Sequence, residues 1–78
     1  PYSAYYYTGR DNDVVNLSTL TINNASEPAI EESFYWRGLA ELALGDQNNA
    51  ITDFHTSLMW HPNFAPSLGE LSALGAQP

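Results

Sequence analysis

The chain contains no cysteine and no lysine, and its only permanent cations are Arg10 and Arg37. Without cysteine there is no disulfide framework, no thiol nucleophile and no thiolate ligand, and the lack suits an oxidising or a reducing compartment alike. Nine carboxylates against two arginines give a formal net charge of -7. Such a field repels a phosphate backbone, so no nucleic-acid partner is expected. Acidity of this kind more often serves solubility than a basic partner. No apolar run approaches the roughly 18 residues that a membrane span requires, and nothing resembles a signal peptide, so no membrane insertion is expected. The glycines, Gly9, Gly38, Gly45, Gly69 and Gly75, are scattered, so no glycine-rich phosphate loop exists.

What remains is 78 residues that are 44% hydrophobic and include ten aromatics. That suffices for one small domain, 1–78, with a compact core of modest stability. The chain begins at Pro1 rather than Met, which leads us to expect a piece of a longer protein.

The most informative stretch runs from Glu31 to Phe64 and holds Phe34, Arg37-Gly38, Gly45-Asp46, Ala50-Ile51, Phe54, Leu58 and Pro62 at spacings that suit a helical hairpin. Small residues at Gly38 and Ala50 would let two backbones approach, with Phe34 and Phe54 filling the space beside them. Gly45 would end the first helix in a left-handed conformation, and Asp46 would cap the second by accepting a backbone N–H. Pro62 would end the second helix, because it lacks a donor and restricts His61.

With these residues in place, the chain resembles the tetratricopeptide-repeat family, whose unit of about 34 residues carries an aromatic, Leu-Gly, a second aromatic, Ala-x-x-x-Phe and Pro. Phe34, Gly38, Ala50, Phe54 and Pro62 match; Arg37 stands where Leu is usual and Glu41 where an aromatic is usual. Bacterial repeats with Arg-Gly at this place carry an Asp just before the second-helix aromatic, here Asp53. The resemblance therefore implies a partly buried Arg37–Asp53 ion pair between the two helices. More loosely, the whole chain resembles C-terminal repeat regions of bacterial extracytoplasmic proteins, some of them cysteine-peptidase-like; any peptidase activity would lie elsewhere.

A second copy is visible at a shift of 36, where Gly9-Arg10-Asp11-Asn12-Asp13-Val14-Val15 parallels Gly45-Asp46-Gln47-Asn48-Asn49-Ala50-Ile51 and Ile22 parallels Leu58. Five helices are expected, at 2–8, 11–23, 29–44, 48–60 and 65–74. The fold class is all-α, an antiparallel helix-turn-helix array like a fragment of a repeat solenoid: residues 1–28 a partial first repeat, 31–64 the best-matching repeat and 65–75 a terminal capping helix. Helix 11–23 competes with a strand, since Val14, Val15, Thr19, Thr21 and Ile22 are β-branched; helical spacing of its apolar residues favours helix. Ser26, Pro28, Glu31 and Glu32 mark a helix start. The third helix is apolar nearly all round and should be sandwiched, whereas the fourth, with its narrower stripe of Ala50, Ile51, Phe54 and Leu58, should lie on an outer layer. Leu68, Leu71 and Leu74 should let the last helix cover the hairpin.

Chemistry finds little to work with. His55 and His61 are six apart and diverge on a helix, where a shared ligand face needs three or four, so neither they nor nearby Asp53 suggest a metal. Glu31 and Glu32 diverge by about 100° and already have a role at a helix N-terminus. No Ser or Thr sits in a recognisable triad pattern. No catalysis, metal or cofactor is expected. Tyr5, Tyr6 and Tyr7 cannot all face one core, so at least one ring should meet solvent, a ligand or a segment outside the sequence.

By the resemblance, the first helix of each repeat lines a groove that takes peptides. Carried over, the lining is Glu32, Tyr35, Trp36, Leu39 and Leu42: aromatic and apolar with an acidic edge. The lysines and arginines with which some members clamp a terminal carboxylate are missing, so that activity is not implied. Beside this stands the reading that Tyr35, Trp36 and Leu39 are core. The expected function is a non-catalytic scaffold for a protein or peptide, or for the rest of its own parent chain. The alternative is a structural accessory or dimerisation domain of a larger bacterial enzyme, one that docks on its parent or pairs as a homodimer. An extracytoplasmic location is implied by resemblance alone.

Overall fold

In the computed structural model, which describes residues 9–23 and 30–78, helix α1 spans Asp11–Asn23. The segment is helical despite its β-branched residues, supported by packing against the helix that follows. The Ser18 hydroxyl donates to Val14 O at 2.6 Å and the Thr21 hydroxyl to Leu17 O at 3.0 Å. These hydroxyls give the backbone carbonyls a second partner in helical geometry. Asp11 and Asp13 stand in the first turn, where carboxylates favour the helix dipole. Val14 and Ser18, one turn apart, are fully buried.

Helix α2, Ile30–Ala43, packs against α1 on one side and against the next helix, α3, Gln47–Trp60, on the other. The expected sandwiching of this apolar helix is what the structure shows. Its end is a Schellman motif: Gly45 takes φ +86, its N–H donates to Leu42 O at 3.0 Å, and the N–H of Asp46 donates to Glu41 O at 2.8 Å. Asp46 then caps α3 by accepting from the Asn49 N–H at 3.3 Å, while its other oxygen accepts from Asn49 Nδ2 at 2.6 Å. Helix α3 therefore begins one residue earlier than expected. It closes at His61, whose extended backbone is what a residue before proline prefers.

Helix α4, Ala65–Ala73, also ends on a left-handed glycine, Gly75, with Gly75 N–H to Ser72 O and Ala76 N–H to Leu71 O. Leu71 is fully buried with Leu39, Ala50 and Phe54, so α2, α3 and α4 share one core. Leu74 packs on its edge. The hydroxyls of Ser57 on α3 and Ser67 on α4 are hydrogen-bonded at 2.5 Å inside the protein, which keeps both polar groups satisfied away from water.

The fold is all-α, and no strand occurs among the described residues. Four of the five expected helices are present there. The helix at 2–8, the Tyr5, Tyr6 and Tyr7 cluster and the Ser26 and Pro28 start signal lie outside the described residues. The internal copy is visible in three dimensions. Gly9 has φ +78 and Gly45 φ +86, helices begin at Asp11 and Gln47, and Val14 and Ala50 occupy fully buried positions, each pair separated by the same 36 residues.

One expectation needs correcting. The space left by Gly38 is not met first by Ala50. A Cβ there would lie 2.6, 2.9 and 3.0 Å from Cε1, Cδ1 and Cζ of Phe54, so the ring itself lies against the glycine. Ala50 is fully buried beside Leu39 and Leu71 in the shared core.

Candidate functional site

Arg37 and Asp53 are equally far in sequence before and after the Gly45 turn, which brings them level in an antiparallel pair. The guanidinium grips Asp53 through two parallel bonds, Nε to Oδ2 and Nη2 to Oδ1, both 2.8 Å. Nη1 donates to Thr19 Oγ1 of α1 at 3.1 Å, and the guanidinium carbon sits 5.4 Å from the centre of the Phe34 ring. One side chain thus fastens three helices. The Asp53 side chain is 5% exposed and that of Arg37 20%. The bond to Asp53 raises the Arg37 pKa further above its ordinary value. A fork of two charge-assisted bonds from a buried surface is the strong form of this contact. The ion pair implied by the resemblance is present, and its reach to α1 was not foreseen.

Of the five residues assigned to a groove, four turn toward the protein's own core. Leu39 belongs to the buried cluster, and Tyr35, Trp36 and Leu42 pack against it. The Tyr35 ring meets Trp36 at 5.3 Å, Phe64 at 5.8 Å and Phe54 at 6.1 Å between centroids. Edge contacts of this kind consume aromatic surface inside a fold. Glu32 alone of the five is exposed.

The side chains considered for metal or acid-base chemistry are placed apart and have other partners. His55 Nε2 lies 2.7 Å from Gln77 O, His61 Nδ1 lies 3.8 Å from Glu31 Oε1, and Asp53 is held by Arg37. Among the described residues no group of three or more histidines and carboxylates could hold a metal ion, and no helix is long and apolar enough to cross a membrane.

Among the described residues the exposed large apolar side chains are Leu20, Leu44, Met59 and Trp60, and the sequence singled out neither Met59 nor Trp60 as a site. Met59 is 82% exposed and Trp60 60%, both in the last turn of α3. Beside them runs an open groove of about 410 Å³ lined by His55, Leu58, Met59 and Pro78. The signal that could have found them is a Met-Trp pair falling outside the Ala50, Phe54 and Ser57 stripe. This end of α3 has no basic side chain in its last turn, so its carbonyl terminus is left negative. Glu31 and Glu32 stand in the first turn of α2, and the contact of His61 with Glu31 places that turn at the same end of the hairpin.

Comparison of the chain with protein-family models, with curated proteins and with solved structures finds no match in any of the three.

Proposed function

We propose that the chain is a tetratricopeptide-like scaffold that binds a protein or peptide, or another part of its own parent chain, without catalysis. The observation that carries this is the exposed Met59 and Trp60 beside an open groove at the end of α3. The 36-residue repetition of turn, helix start and buried position supports a repeat architecture. The resemblance adds Glu32 and the outer parts of Tyr35, Trp36 and Leu42 as a second candidate surface.

Charge selects the partner. Arg10 is paired with Asp13 at 2.7 Å and Arg37 with Asp53, so the chain's two permanent cations are both engaged with its own acids. A thioether and an indole beside a negative helix end suit an apolar segment carrying Lys or Arg, through burial and cation–π attraction. A second copy of the chain would bring its own charge of -7 to the same place. The accessory or dimerisation reading draws on the same exposed side chains and makes self-association its signature.

Two measurements together test the proposal: light scattering of the protein alone, and calorimetric titration with a short lysine-leucine peptide and its glutamate-leucine counterpart. Support is a monomer that binds the lysine peptide and ignores the glutamate one. A dimer that binds neither favours the accessory reading, and a monomer that binds neither contradicts both.

A further inference from the structure

Glu41 stands where the family resemblance expects an aromatic ring, and its surroundings give a carboxyl group an unusual task. It lies one turn beyond Arg37 on α2, yet Arg37 directs its fork to Asp53 and its remaining arm to Thr19. Glu41 Oε1 is shut off from water and has no hydrogen-bond partner. With the Arg37 donors closed on Asp53 and Thr19, no cation among the described residues is left to pair with this carboxyl, and after burial a bond to Asp53 is the next cause of its raised pKa. Two carboxyl groups can share a hydrogen bond only if one of them carries a proton. The charged groups acting on Glu41 are Asp53 on α3, Asp46 at the cap of α3 and Arg37 on its own helix; α1 faces the cluster with the Thr19 hydroxyl.

We propose that Glu41 is a proton-binding site built into the α2–α3 hairpin, donating to Asp53 when neutral and, on losing its proton, setting two carboxylates against one guanidinium and loosening α2 from its neighbours. Burial first, and then the bond to Asp53, push its pKa from an ordinary 4.5 up to about 8. The direction of the linkage follows. In the unfolded chain Glu41 gives up its proton near 4.5 and in the folded chain near 8, so between those values the folded state holds more protons. Stability from this group is therefore complete below 4.5, declines as pH rises toward 8 and is constant above it. The device works at the seat of the hairpin, independently of any partner at Met59 and Trp60.

The test is an NMR titration of the Glu41 side-chain carboxyl carbon in the whole chain, combined with melting curves of the protein and of Glu41→Gln across the same pH range. Glutamine keeps a donor to Asp53 and has no proton to lose. A midpoint near 8 is expected, with a melting temperature that falls from weakly acidic to weakly alkaline pH in the native protein and falls less in Glu41→Gln. Both proteins carry the same other ionisable groups, so the difference between the curves isolates Glu41. A midpoint near 4.5, or identical slopes for the two proteins, would overturn the proposal.

Discussion

The ring of Phe54 lies against Gly38, with its Cε1 2.6 Å from where a Cβ would stand. Phe54 is fully buried, so the ring has no open side to move into. Gly38→Ala should therefore destabilise the protein by about 1 to 3 kcal/mol in urea unfolding, although alanine is the better helix former. Phe54→Leu in the same chain should recover part of that loss, giving a double mutant less damaged than the sum of its parts. A Gly38→Ala protein as stable as the parent would show that the two helices stand further apart.

Arg37 and Asp53 set up a second test. Asp53→Ala leaves a guanidinium with its fork unpaired against the Phe34 ring, at an expected cost of about 2 to 4 kcal/mol. Arg37→Met with Asp53→Leu should recover most of it, because two apolar groups have no charge to desolvate. A double-mutant cycle by thermal unfolding reads the coupling directly; a value near zero would mean that solvent already satisfies both groups.

Gly45 and Gly69 separate space from backbone geometry. Neither would bring an added Cβ within 4 Å of anything, but Gly45 has φ +86 and Gly69 lies in the regular turns of α4. Gly45→Ala should cost about 1 to 2 kcal/mol through left-handed strain, and Gly69→Ala should gain about 0.5 to 1 kcal/mol. Denaturant midpoints moving in opposite directions are the expected outcome.

How far the residues foretold this structure depends on how local each signal is. Gly45 and Asp46 act within one turn of chain, and both were readable from residue type. The Arg37–Asp53 pair crosses helices and was legible through the resemblance, because a charged residue in an apolar pattern needs a partner. Gly38 was legible as a close-contact position with Phe54 beside it. Residue size did not say that the ring, rather than Ala50, makes the nearest approach. The aromatic face of α2 was legible as apolar, yet whether it packs inward depends on Leu71 and Phe64 folding over it, which no spacing encodes. Glu41 entered only as a mismatch; a lone carboxylate one turn after Arg37 on an apolar helix was the signal available. Met59 and Trp60 were overlooked because the helical stripe, rather than what falls outside it, guided the reading.

The central claim is that partners meet Met59 and Trp60 while the aromatic face of α2 is occupied within the fold. It is tested most directly by NMR on the whole chain during titration with the lysine-leucine peptide. The Trp60 indole N–H and the Met59 methyl should shift, the Trp36 indole should hold still, and added salt should weaken the response. Shifts at Trp36 and Glu32 with Met59 and Trp60 unmoved, or no shift at any residue, would contradict it.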